Sequence, residues 1–143
     1  MLTDLNLIIA IATARIFVGI LFFFQGYDKI FKIGMKQLKQ TMSANLGNHK
    51  LPDSFIGFVA ISTSWIELMC GFLLIIGFFK YFALYLLCID LLIVATGFSM
   101  AKPMWDTAHV FVRLFLILLL LLTPVEWDKI SFDYLFTLAK LKV

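Results

Sequence analysis

Cysteine is nearly absent from this chain of 143 residues, and the two present, Cys70 and Cys88, form no CxxC and no cluster with histidine. That excludes a disulfide framework and a structural zinc site, and no metal centre is expected. Charge is equally scarce, at 15% of residues, and the net charge of +3 is too small and too scattered to point to nucleic acid. No nucleotide-binding or catalytic motif is present. No basic stretch precedes the first apolar block and no small-residue cleavage site follows it, so that block is expected to remain as a helix rather than be removed as a signal peptide. What remains is hydrophobic: 62% of residues, with a mean hydropathy of +1.00, gathered in blocks rather than at amphipathic spacing. The chain reads as a multi-pass integral membrane protein forming one domain, residues 1–143.

The blocks predict four spans, about 5–24, 55–79, 81–100 and 108–123. Between the first two lies the only long polar segment, where Lys29, Lys32, Lys36, Lys39 and Lys50 alternate with apolar residues, as in a basic helix lying at a membrane interface. The second and third spans are joined only by Phe79 and Lys80, so they must be antiparallel neighbours. The fourth ends at Pro124, and Phe132, Leu135, Phe136 and Ala139 in the tail have the spacing of a helix resting on the membrane surface. The expected architecture is all-α: an antiparallel four-helix bundle with an interfacial amphipathic segment between helices one and two. Lysines on the side of the long loop outnumber those opposite, which places that loop in the cytoplasm.

Within these spans stand charges that lipid disfavours. Arg15 lies mid-run in ARIFVGILFFFQGYDKIF, with Gly19, Phe22, Gly26 and Lys29 following it on one helix face. Counting ~1.5 Å per residue from the helix ends puts Arg15, Glu67 and Asp90 at one depth, with Arg113 nearer the long loop. Small and polar neighbours surround Glu67 and Asp90, as helix interfaces in membranes prefer. On the fourth helix Asp106, His109 and Arg113 share a face. Arg15, Glu67, Asp90, His109 and Arg113 are therefore the candidate ligand or proton site. Its mouth is expected at Gln25, Gly26, Asp28, Lys29, Trp105 and Asp106, with the segment from Lys32 to Met42 as a lid. The opposite half, around Phe78, Phe79, Tyr81 and Phe82, reads as apolar and aromatic.

The spacing Arg15, Gly19, Phe22, Gly26, Lys29, then Glu67, Gly71 and Gly77 in WIELMCGFLLIIGFF, then an arginine early in a leucine-rich last helix, resembles the DoxX family of small four-helix bacterial inner-membrane proteins. The resemblance implies that fold and address. It also implies association with quinone-linked oxidation, since the name-giving members are subunits of such systems and a related branch assists maturation of methylamine dehydrogenase.

Two readings of the charges stand side by side: buried ion pairs that fix helix register, or a proton path or ligand site. The first function hypothesis is an accessory or ligand-binding subunit with no intrinsic cofactor, holding a quinone-like molecule and working beside a membrane or soluble redox partner. The second is a small transporter or proton conductor using the same cluster. An enzyme in its own right has the least support. His109 reads as a hydrogen-bonded residue near a helix start rather than a haem ligand, and Cys70 and Cys88 as structural thiols on different helix faces.

Overall fold

A computed structural model describes residues 2–46, 51–101 and 108–141. The regular structure among them is entirely helical. Helix α1, Leu2–Tyr27, passes without a break into a π-helical segment, Asp28–Ile33, because nothing in the apolar run interrupts it before Gly34. Gly34 adopts φ 82°, a conformation that side chains with a Cβ rarely take, and there the chain turns into α2, Met35–Asn45. Helices α3, Asp53–Ile76, and α4, Lys80–Ala101, follow, then α5, Ala108–Leu121, a 3₁₀ turn at Val125–Trp127, and α6, Phe132–Leu141.

Three segments are long and apolar enough to cross a membrane: Asp4–Ile33, Asp53–Ile76 and Lys80–Met100. The fourth apolar helix is shorter, at Val110–Leu121. Helices occupy the four apolar blocks, with ends that differ from those expected. The first is longer, since the π-helical segment continues it, and the second stops three residues early. That stop is built by Gly77, which takes the left-handed conformation and donates its N–H to the carbonyls of Leu73 and Leu74, while Phe78 N–H bonds Leu73. Such a paired cap satisfies carbonyls that a helix end leaves bare.

Helices α1 and α3 pack most closely, and glycine sets their register. A Cβ added at Gly26 would lie 2.5 Å from the Leu68 nitrogen, and one at Gly19 would lie 2.9 Å from the Gly71 carbonyl oxygen. Backbone touches backbone, so the helices run in opposite directions with residue 19 level with 71 and residue 26 level with 64–68. Around this contact Val18, Phe22, Leu74, Leu84, Leu87, Leu91, Ile117 and Leu120 close a core. The large side chains outside it point outward; Phe58, Phe115 and Leu122 are 69%, 66% and 85% exposed. An apolar surface of that extent suits lipid and would not keep a soluble protein dispersed.

The tail is tied down as well as amphipathic. Asp133 accepts hydrogen bonds from the backbone N–H groups of Phe79 (2.9 Å) and Lys80 (2.7 Å), and its own N–H donates to the Gly77 carbonyl. A carboxylate from the tail thus caps the start of α4. Phe132, Leu135 and Phe136 remain exposed, as expected of a segment resting on a membrane surface.

Candidate functional site

The charged residues fall into two groups rather than one. In the first, on the side of α2, Glu67 is fully buried on α3, and its carboxylate meets the Lys29 ammonium at 2.7 and 2.6 Å. Gln25 Nε2 donates to the same carboxylate at 2.8 Å, and Gln25 Oε1 accepts from the Arg113 guanidinium. Arg113 also lies over the Phe22 ring, 5.8 Å from its centre, so a cation–π contact holds the guanidinium on α5 against α1. The chain of contacts Arg113, Gln25, Glu67, Lys29 thus joins α5, α1, α3 and the π-helical segment.

Asp90, on α4, is also fully buried, yet neither of its oxygens has a hydrogen-bond partner among the described residues. An ionised carboxylate left so would carry a large desolvation penalty.

Arg15 does not belong to that group. It is buried at the other end, where Nε pairs with Asp128 at 2.8 Å, Nη1 donates to the carbonyls of Leu74 and Ile75, and Nη2 donates to that of Ile130 at 2.7 Å. The expectation that Arg15 shares a depth with Glu67 is corrected here. The glycine register fixes Arg15 level with the Gly77 turn, and the partner of Glu67 is Lys29, fourteen residues further along in the π-helical segment that continues α1. Depth counted from helix ends assumes that all helices are centred on one plane; α1 is not, because it continues to Ile33.

The half expected to be apolar is therefore polar inside. Lys80, 1% exposed, donates to the carbonyl and hydroxyl of Thr123 at 3.1 and 2.8 Å, and Tyr81 OH donates to the same carbonyl. With Arg15, Asp128 and Asp133 this makes two cations and two carboxylates around one turn. Sequence reasoning missed Lys80, Thr123, Asp128 and Asp133. One signal was available: an arginine inside an apolar helix needs a counter-charge, and Asp128 is among the first acids after the last apolar block.

The expected mouth is brought together only in part. Gln25 and Lys29 stand at Glu67, but Gly26 is buried against α3, and Asp28 turns away to pair with Lys32 at 2.7 Å. Trp105, Asp106 and the side chain of His109 lie outside the described residues. Among the described residues an apolar cavity of about 520 Å³ lies between α2, α3 and α4, walled by residues such as Met42, Phe55, Val59, Leu92 and Phe98. Lys29 is the charged residue that lines it. Among the described residues no group of three histidine, cysteine or acidic side chains could hold a metal ion. Cys70 and Cys88 are free thiols, the first buried and the second half-buried.

The Glu67 contacts give a measurable expectation. Glu67→Gln leaves Lys29 without its counter-charge, and because Lys29 keeps 19% exposure and can turn outward, the loss should be on the order of 1–3 kcal/mol. Cys88→Ala should stay within about 1 kcal/mol. Thermal unfolding in mild detergent compares the two; equal midpoints would show that the Glu67 contacts carry no stability.

A family model for DoxX matches residues 10–101, from α1 through α4, and thus includes Arg15, Gln25, Lys29, Glu67 and Asp90 but not Arg113 or Asp128. No curated protein and no solved structure matches the chain. The match covers well over half of the sequence: the chain belongs to the DoxX family.

Proposed function

We propose that this protein is a ligand-binding accessory subunit of a membrane redox system, built as an antiparallel four-helix bundle in the bacterial inner membrane, and that its ligand is a quinone-like amphiphile. The reading rests on one observation: an apolar cavity of about 520 Å³ whose charged lining residue, Lys29, is anchored by a buried carboxylate. That volume is in the range of small-molecule sites, and such sites combine apolar walls with a few fixed polar groups. Helix α2 forms one wall through Leu38 and Met42 and would act as its lid, turning at Gly34. The ligand or proton site then comprises Lys29, Glu67, Asp90, Gln25 and Arg113, with Arg15 as a structural arginine.

Purification in mild detergent followed by mass spectrometry of extracted small molecules tests this. A quinone should be recovered near one per chain and should be lost from Gly97→Phe, which fills the cavity from a position where a Cβ meets nothing within 4 Å. Absence of any quinone, or equal recovery from the filled variant, would remove the reading. The buried Asp90 carboxyl, without a hydrogen-bond partner among the described residues, favours a second function, a small proton conductor or transporter. Proton flux into liposomes that disappears in Asp90→Asn would support that alternative.

A further inference from the structure

The two walls of the cavity stand on a shared floor. Helix α2 packs on α3 and on the π-helical segment, while α4 packs on α3 and α5. The floor is the α3 face of Phe55, Val59 and Thr63; Leu38 and Met42 of α2 form one wall, and α4 forms the other. Two residues of the α4 wall, Ile89 and Leu92, are 54% and 61% exposed, so that wall is also part of the outer surface. Among the described residues the cavity is therefore a slot that opens sideways between α2 and α4. The depth of the opening decides what lies outside it. Ile89 and Leu92 come nine and twelve residues after Lys80, where the 22-residue helix α4 begins. At ~1.5 Å per residue that is roughly 14 and 18 Å along a helix crossing about 30 Å of hydrocarbon. The slot faces the middle of the acyl layer, not water.

The charge on the lining is already matched. Lys29 stands 2.7 and 2.6 Å from the two Glu67 oxygens, so an anion arriving at the ammonium would meet the carboxylate as well. The other polar lining residues, Asn45, Thr63 and Thr96, are uncharged. An ammonium has three N–H donors, and the pair with Glu67 leaves one for a neutral acceptor such as a carbonyl oxygen. Apolar walls, a compensated cation and an opening into hydrocarbon all favour an uncharged occupant.

We infer that the ligand of this cavity is an uncharged molecule drawn from the hydrocarbon layer, entering sideways between α2 and α4 and leaving its tail among the lipid chains. Its polar head comes to rest near Lys29. Because the opening is a slot, the volume of the cavity limits the head but not the length of the tail. The inference rests on the reading of the cavity as a ligand site and goes beyond it in fixing the route of entry, the charge of the ligand and the place of its tail.

A nitroxide attached at Thr63→Cys tests it, in protein carrying Cys70→Ala and Cys88→Ala and held in phosphatidylcholine nanodiscs. Thr63 lies on the floor, is 5% exposed, and bonds through its hydroxyl only to the Ala60 carbonyl of its own helix, so the site tolerates the change. If Thr63→Cys does not fold, Val59→Cys on the same floor replaces it. Power saturation compares collisions with oxygen, which dissolves in hydrocarbon, and with a water-soluble nickel chelate. Without ligand, oxygen should reach the label nearly as freely as it reaches one at Phe115→Cys, which is 66% exposed, and the chelate should not. Decylubiquinone and the long-tailed ubiquinone-10 should both remove the oxygen access, and dodecanesulfonate at the same membrane fraction should leave it. Access by the chelate, or protection from both reagents before ligand is added, would overturn the inference while leaving the quinone reading in place. Protection by decylubiquinone but not by ubiquinone-10 would mean a closed cavity, and equal protection by dodecanesulfonate would mean a site indifferent to charge; either overturns it. Oxygen access that neither quinone alters would end both readings.

Discussion

Asp128→Asn is expected to lower stability by about 3–5 kcal/mol, more than any substitution at Glu67. Arg15 and Asp128 are 1% and 0% exposed, so neither can turn to water when the other is changed. Loss of the carboxylate charge leaves a guanidinium held only by neutral carbonyls, those of Leu74, Ile75 and Ile130. Neutral acceptors satisfy its N–H groups but not its charge. The effect should also spread, because the segment from Asp128 carries the Asp133 carboxylate that caps α4. A thermal-melt comparison in detergent reads the loss. The double variant Arg15→Met with Asp128→Asn should recover part of it, since a buried pair removed whole leaves no uncompensated charge. A double variant less stable than Asp128→Asn alone would refute the ion-pair account.

The second large effect is expected at Gly71. A Cβ there would sit 2.8 Å from both the Gly19 carbonyl oxygen and the Phe23 Cα, and these are backbone atoms of a helix that cannot yield locally. Gly71→Val must push α1 and α3 apart and should cost about 3 kcal/mol or more, at the upper end of overpacking penalties. It should also separate Lys29 from Glu67, because both contacts share the same helix pair. Gly97→Ala is the control: nothing lies within 4 Å of its Cβ position, so the gain in helix propensity should leave it neutral or slightly stabilised. Similar midpoints for Gly71→Val and the unmodified protein would show that the helices are not in backbone contact.

The class of the fold was legible because it depends on quantities that composition carries: apolar blocks of spanning length and few charges. The face of α1 was legible for a related reason, since the helical period puts Gly19, Phe22, Gly26 and Lys29 in one row whatever the row packs against. The register was not. It depends on which glycine meets which backbone, and two helices of unequal extent can slide past each other without changing either pattern. The Arg15 partner was lost for that reason, and the polar end near Lys80 with it, because Asp128 and Asp133 lie beyond the last apolar block in a tail that hydropathy alone assigns to the surface. The cavity was invisible on different grounds. Its walls come from α2, α3 and α4, each with an ordinary apolar face, and the space between them exists only once their angles are set.

The contacts of Arg15 have a consequence for synthesis. Its nearest acceptors on α3 emerge from the ribosome early, but the Ile130 carbonyl lies 115 residues further along, and Asp128 just before it. At roughly 5–20 residues per second, the first helix waits about 6–23 s, with its arginine lacking a counter-charge. Only in about the second half of that interval, once α3 has been made, do the Leu74 and Ile75 carbonyls become available to it as acceptors. A nascent chain released before Asp128 would thus differ from the finished protein inside its first helix, far from the point of truncation.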